Sequence, residues 1–372
     1  MAQKQNNAQK QNDVASGYET GKKVETNVEK CPACGGNMVY SPARGALECP
    51  YCGTIREIRS NVASEQEFDK LLEENNSWAD ETHVFRCENC GATTILDVNE
   101  ISKRCPFCGA SHVVETKEMC GLKPNAVVPF VLTAEEACER FRAWVKKKFF
   151  APRKFKKEVK ADEIGGVYNP AFSFDTDTFS SYSGRLGKRY TETRTVNGKT
   201  VTETKVRYFP VGGNYSCFFD DVLIQASDAI SQKNVDAMQP FDTNDSREYK
   251  KQYLSGYAAS RYTTSGKDCW ETAKLRIKGR IRSAILAQYD YDVIDYLNVE
   301  TTCANITYKY LLLPVYVGAT KWKKKVYNFF VNGRSGKVAG KMPLSPLKIL
   351  GVVVLGLAVV GLFAYFYLKN GG

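Results

Sequence analysis

Cys31-Pro-Ala-Cys34-Gly35 with Cys49-Pro-Tyr-Cys52-Gly53, repeated 56 residues later as Cys87-Glu-Asn-Cys90-Gly91 with Cys105-Pro-Phe-Cys108-Gly109, decides the fold of the first third of the chain. Each copy reads Cys-x2-Cys-x14-Cys-x2-Cys. Four thiolates on two tight turns are what a tetrahedral metal site needs, and the glycine after each pair can take φ > 0 where the chain folds back under the metal. A unit as short as Cys31–Cys52 buries too little apolar surface to fold alone. Structural zinc supplies the deficit, at about 10–16 kcal/mol of apparent binding free energy in zinc-finger peptides. Cys31, Cys34, Cys49, Cys52, Cys87, Cys90, Cys105 and Cys108 are therefore the expected ligands of two structural Zn2+ ions. Four sulfurs per ion leave no position for water or substrate.

Two other readings of the cysteines rank below zinc. A rubredoxin-type iron site uses similar knuckles, and an S4 tetrahedron suits either metal. Four disulfides need an oxidising compartment, and Met1-Ala-Gln-Lys-Gln-Asn does not read as a secretion signal. The five other cysteines (Cys120, Cys138, Cys217, Cys269, Cys303) have no regular spacing and read as buried small hydrophobes. The chain has two histidines, His83 and His112, both read as surface residues, so a cysteine–histidine catalytic pair is disfavoured.

The net charge of +11 is divided unevenly. Residues 1–120 hold 13 Lys and Arg against 18 Asp and Glu, whereas residues 121–372 hold 39 against 23. Zinc ribbons that grip nucleic acid need a basic face for the phosphates. The acidic balance here points the ribbons toward protein.

Ile349–Leu368 is 20 residues without a charge, between Lys348 and Lys369. At about 1.5 Å per residue such a helix is about 30 Å long, the thickness of a bilayer core. Tyr365, Phe366 and Tyr367 stand where an aromatic belt belongs. Arg334, Lys337, Lys341 and Lys348 precede the span and only Lys369 follows it, so the positive-inside rule places the bulk of the chain in the cytoplasm.

Between these ends the sequence predicts an α/β (α+β) domain. Residues 1–29 read as a disordered tail. Ser64 with Glu67 predicts a capping box that opens a short helix carrying Phe68, Leu71 and Leu72. Val127–Leu132 predicts a strand. Thr133 with Glu136 predicts a second capping box, opening a helix that buries Ala137, Phe141, Trp144 and Val145 and ends at Pro152. Asn197-Gly198 predicts the turn of a long, largely solvated hairpin. A helix over about 268–289 should turn Trp270, Ala273, Ile277, Ile281 and Ile285 inward. Strands Tyr310–Lys321 and Val326–Asn332 should close toward Lys337-Val-Ala-Gly. The expected organisation is a tail (1–29), zinc ribbon 1 (30–54), a helical linker (55–84), zinc ribbon 2 (85–116), the α+β domain (117–342) and a membrane anchor (343–372).

Arg140–Lys160 carries ten Lys and Arg and one acid, interleaved with Phe141, Trp144, Phe149, Phe150 and Phe155. A solvated helix face with core aromatics, a surface on anionic lipid, and a nucleic-acid site are the three readings, in that order. No Gly-x4-Gly-Lys-Ser/Thr, Gly-x-Ser-x-Gly or His-Glu-x-x-His occurs in the chain, and Gly333-Arg-Ser-Gly-Lys reads as a hairpin turn. No catalytic residue is expected.

Several stretches together resemble a family of bacterial membrane proteins with tandem transcription-factor-IIB-type zinc ribbons, often labelled as relatives of the PriA helicase. The carrying residues are Cys49-Pro-Tyr-Cys-Gly and Cys105-Pro-Phe-Cys-Gly; Gln239-Pro-Phe-Asp with Tyr253-Leu-Ser-Gly-Tyr and Arg261-Tyr262; and Leu312-Leu-Pro-Val-Tyr with Phe329-Phe-Val-Asn-Gly-Arg-Ser-Gly-Lys-Val. The likeness spans roughly residues 30–368. Met238-Gln239 and Ala259-Ser260 depart from the Leu-Val and Ala-Glu of the pattern. The helicase motor is absent. The resemblance implies protein partners similar to phage-shock protein A and to flotillins, acting in envelope stress. The expectation is a non-enzymatic, tail-anchored, single-pass adaptor on the cytoplasmic face of a bacterial membrane, touching membrane lipid and a protein partner. A membrane-tethered nucleic-acid-binding protein is the alternative.

Overall fold

The computed structural model describes residues 29–72, 82–97, 105–107, 113–116, 122–158, 164–196, 199–323 and 325–370. Residues 1–28 of the expected 1–29 tail, the Asn197-Gly198 turn, Cys108, Cys120 and His112 lie outside the described residues.

The first cysteine module is an antiparallel sheet of β1 (Val39–Ser41), β2 (Ala46–Glu48) and β3 (Ile55–Arg56), in that order. One cysteine pair precedes β1 and the other lies between β2 and β3. The predicted helix from Ser64 does not form. Instead β4 (Gln66–Glu67) pairs with Tyr308 and Thr307, and a 3-10 turn over Phe68–Leu72 follows. Backbone pairing to a distant strand overrides the local capping signal here, although Phe68 still packs on Trp270 with ring centroids 5.6 Å apart.

In the second module β5 (Thr82–Cys87) is central, flanked by β6 (Thr93–Asp97) and β7 (Val113–Thr116). The strand expected over Val127–Leu132 is cut to β8 (Ala126–Val127). Pro129 offers no N–H, and the chain is fastened instead by the amides of Val131 and Leu132 to the Gly333 carbonyl. Thr133 and Glu136 form the predicted reciprocal capping box at the start of α1 (Ala134–Lys147), which buries Ala137, Cys138, Phe141 and Val145. This helix stops at Lys147, five residues before Pro152. Pro152 instead precedes a separate short helix, α2 (Arg153–Glu158).

The body is organised by three long, bent strands. β9 (Ile164–Val196) and β10 (Lys199–Gln225) form the predicted hairpin, in register from Val196↔Lys199 back to Ala171↔Gln225 with a bulge at Phe219/Val222. After α3 (Gln232–Met238), β11 (Arg247–Glu248) and β12 (Ala258–Ser260), helix α4 (Gly266–Leu286) starts at the N-cap Ser265 and turns Trp270, Ala273, Ile277, Ile281 and Ile285 inward, as the spacing predicts. β13 (Val293–Trp322) runs antiparallel along the other edge of β9. Next, β14 (Lys325–Asn332) and β15 (Val338–Gly340) close the sheet around the Gly333–Lys337 turn, which the Asn332 amide and the Lys337 carbonyl shut at 2.9 Å. The chain ends in α5 (Pro346–Asn370).

Tyr308–Val317 is buried on both faces, which is why the Leu311-Leu-Leu run does not alternate with polar residues. Leu311, Leu313, Val315 and Val317 face a cluster with Val167, Ala171 and Phe330. Leu312 and Tyr316 face the opposite cluster with Phe130, Phe141 and Phe329. Toward the middle of the hairpin, Phe172, Phe174 and Tyr310 receive α4. The far end of β9–β10, beyond Gly187, has no β13 partner and is exposed along most of its length.

The cysteine modules are built into this body. β6 pairs with β12, which places the second module in the same sheet as β9, and Cys87, Cys105 and Phe107 belong to the cluster around Leu311. The first module docks on the other face through Met38, Tyr40 and Leu47.

Candidate metal centres

The sulfurs of Cys31, Cys34, Cys49 and Cys52 lie within 4.8 Å of one another, and so do those of Cys87, Cys90 and Cys105. Within the first group, Cys31 and Cys52 Sγ are 3.4 Å apart, as are Cys34 and Cys49 Sγ; in the second, Cys90 and Cys105 Sγ are 3.6 Å apart. Disulfide sulfurs sit at about 2.0 Å, so these are free thiols. A tetrahedral ion with metal–sulfur bonds of about 2.3 Å requires sulfur–sulfur edges of about 3.8 Å, close to what is observed.

The backbone explains why the spacing produces this. The Gly35 amide donates to the Cys31 carbonyl at 2.8 Å, and the Cys31 amide donates to the Gly36 carbonyl at 2.7 Å. The turns at Cys49 (Gly53 and Thr54) and at Cys87 (Gly91 and Ala92) close with the same two bonds, each at 2.9 Å. Gly35, Gly53 and Gly91 adopt φ of 72°, 72° and 74°, so a side chain at these positions is strained. In the three pairs with both members among the described residues, the first cysteine (Cys31, Cys49, Cys87) is buried and the second (Cys34, Cys52, Cys90) exposed, which anchors each of these turns to its module by one sulfur.

The electrostatics fit a cation. Burial pushes the Cys31 thiol up, but the Cys34 and Ala33 amides and the Thr54 hydroxyl outweigh it and hold the thiol below its ordinary value. Thr54 lowers Cys52 as well. For Cys34 the Gly36 amide acts downward, yet the adjoining Cys52 and Cys49 sulfurs prevail and push it up. Adjacent sulfurs resist ionising together, and a dication at the centre removes that conflict. Cys31, Cys34, Cys49 and Cys52 could thus hold one metal ion, and Cys87, Cys90 and Cys105 three sides of another. Among the remaining cysteines, Cys138 and Cys269 are buried as expected, whereas Cys217 and Cys303 are only half-buried.

The downstream motifs meet in the core. Tyr257 and Tyr316 lie against Phe130, which stacks on Tyr257 with centroids 4.4 Å apart, and Tyr40 from the first module meets Tyr253 and Tyr257 edge-on. Buried Asn332 donates through Nδ2 to the Met238 and Pro240 carbonyls at 2.9 and 2.8 Å. Its Oδ1 accepts from the Arg334 and Ser335 amides at 2.8 and 3.0 Å. Arg334 pairs with Asp242 and Asp245. These residues brace the fold.

One charged cluster had no signal in the sequence, because its members come from four separate strands and loops. Asp175 is buried beside Glu65, and its carboxylate accepts the Asp221 amide at 2.7 Å. Lys309, also buried, lies 3.5 Å from both Glu65 and Asp221. Burial and then the hydrogen-bonded Glu65 carboxyl push Asp175 well above the ordinary carboxylate range.

Among the described residues, Pro346–Phe366 is a helix long and apolar enough to cross a membrane, and none of it is buried in the protein.

The chain is similar to a curated relative from Bacillus subtilis (strain 168), the "Uncharacterized protein YdjG", with 26% identity over 333 residues, covering 86% of this chain and 91% of the relative. No family model matches the chain. No solved structure matches it.

Proposed function

We propose that this chain is a membrane-anchored, non-enzymatic zinc-ribbon adaptor that presents a protein-binding surface on the cytoplasmic side of a bacterial membrane. The observation that carries the reading is the set of three identically closed cysteine turns, with the sulfurs of the first quartet already at near-tetrahedral spacing. Thiolate-rich tetrahedral sites suit zinc, and a closed four-sulfur site is structural. Cys108 completes the second site in this proposal. The acidic balance around the modules and the exposed Tyr51 and Ile55 on the first of them favour protein as the partner over nucleic acid. α5 supplies the anchor, and the basic residues before it favour a cytoplasmic body. The resemblance described above suggests partners of the phage-shock protein A and flotillin kinds, in envelope stress.

A second reading, nucleic-acid binding, is favoured by the projecting end of β9–β10. A two-stranded ribbon fits the major groove, and this one carries Arg189, Arg194, Lys205 and Arg207. Its field is weakened by cross-strand pairing of Arg194 with Glu203 and of Lys205 with Glu192.

The experiment that tests the proposal uses the full chain in detergent, bound to purified phage-shock protein A-like and flotillin-like proteins and, separately, to duplex DNA at physiological salt. Metal-dependent protein capture that Cys49→Ser abolishes supports the adaptor. Micromolar or tighter DNA binding without protein capture overturns it in favour of the second reading.

A further inference from the structure

The loop between α1 and α2 is fastened to the first turn of α5. Lys348 Nζ donates to the Phe149 carbonyl at 2.7 Å and to the Ala151 carbonyl at 2.9 Å. The Ser345 amide donates to the Phe150 carbonyl at 2.8 Å. The same ammonium lies 5.4 Å from the centre of the Phe149 ring. Phe149 and Phe150 are therefore held at the level where the apolar helix begins, and both keep exposed surface there: Phe149 is 63% exposed and Phe150 38%. Ala151 and Phe155, on the same stretch, are 1% exposed, so the loop is rigidly seated while its two aromatic side chains point away from the core.

Cations surround these rings. Lys146, Lys147 and Lys148 at the end of α1 and Arg153, Lys154 and Lys157 on α2 are all exposed. The β13–β14 turn brings Lys323 and Lys325 to the same side, because Phe155 packs edge-on against Trp322 and Tyr327 with centroids 5.7 and 6.1 Å away. No Asp or Glu occurs between Arg140 and Lys157.

We propose that this face is a second membrane contact. Phe149 and Phe150 enter the boundary between headgroups and acyl chains of the leaflet in which α5 starts, and the surrounding lysines and arginines meet anionic headgroups. The inference rests on reading Pro346–Phe366 as a membrane span. Exposed aromatic rings ringed by basic residues have the composition of an interfacial contact, and basic residues near an anionic leaflet add attraction that salt screens. Tying this loop to α5 converts a flexible tether into a fixed orientation. The body then stands on the membrane at two points, with the cysteine modules held in a constant direction.

The test uses the full chain reconstituted in lipid nanodiscs, with the photo-reactive residue p-benzoylphenylalanine placed singly at Phe149, at Leu355 in the middle of α5, or at Leu275 on the exposed side of α4. Discs contain phosphatidylethanolamine with phosphatidylglycerol, or phosphatidylcholine alone, and duplex DNA is added in a parallel arm. The expected result is lipid labelling from positions 149 and 355 and none from 275. The position-149 yield should fall at least about fivefold in phosphatidylcholine or in 1 M salt, while the position-355 yield holds. Lipid labelling from 355 without labelling from 149 overturns the second contact and leaves the anchor standing. Absence of labelling from both removes the anchor reading and the proposal with it. Labelling from 149 that ignores headgroup charge, or that transfers to DNA, overturns the proposal as well.

Discussion

The hydroxyl of Tyr40, in the first cysteine module, donates a 2.9 Å hydrogen bond to the carbonyl of Phe130, 90 residues away in the body of the protein. Both residues are buried, and the Tyr40 ring also meets Tyr253 edge-on at 5.5 Å. The module is consequently part of the core, so that loss of its metal should loosen the body. Tyr40→Phe keeps the ring and strands the carbonyl. It should lower the stability of the full chain by about 1–3 kcal/mol. An unchanged denaturation midpoint for this variant in detergent would count against the docking.

Purified under reducing, chelator-free conditions, the chain should contain close to two zinc ions by elemental analysis. Cys49→Ser should lower the content toward one. Gly53→Val should weaken retention of the same ion, because the left-handed backbone at φ of 72° costs a β-branched residue at least about 1–2 kcal/mol. A zinc content near zero in the unmodified chain would sink the structural-zinc proposal.

Asn332 uses both amide protons and its carbonyl oxygen inside the core, bridging β14 to the chain around Met238 and Pro240. Asn332→Leu leaves two carbonyls and two amides without these partners and should cost about 2–4 kcal/mol. Arg334→Ala, at the more exposed pairs with Asp242 and Asp245, should cost less than about 1 kcal/mol. Equal effects from the two variants would show that the buried amide is not the brace.

Asp175 sets a pH dependence of defined sign. Its carboxyl is raised in the folded protein by burial and by Glu65, so the native state holds a proton that the unfolded chain releases near its ordinary value of about 4. The stabilisation is complete below that value and fades as pH rises toward neutrality through the raised folded value. Glu65 is shifted downward, chiefly by Asp175, and partly offsets the trend from the acid side. Asp175→Asn should flatten the decline in stability between about pH 4 and pH 7. A slope that persists unchanged in this variant would assign the dependence to other groups.

The chain should stay with membranes through a carbonate wash, and deletion of residues 345–372 should release it. Protease added outside intact cells should leave the cysteine modules uncut. Efficient external cleavage there would reverse the proposed orientation.

What could be read directly from the sequence was local. The cysteine turns close over five residues, the Thr133–Glu136 box over three, and the inward stripe of α4 over successive helical turns. In each, spacing along the chain already fixes which groups can meet, because a tight turn or a helix admits few conformations. The hairpin of β9 and β10 belongs to the same class, since the pairing of Val196 with Lys199 sets the register as far as the bulge at Phe219/Val222.

Contacts between distant segments were decided only by the tertiary structure. Ser64 with Glu67 carries as good a local capping signal as Thr133 with Glu136, yet Gln66 and Glu67 are drawn into pairing with Tyr308 and Thr307. The same folding brings Glu65, Asp175, Asp221 and Lys309 together, seats Tyr40 on Phe130, and ties Phe149 to the foot of α5. No spacing rule encodes these meetings. They arise because burying both faces of β9 and β13 requires the modules and helices to cover the sheet, and the sheet then dictates which residues become neighbours.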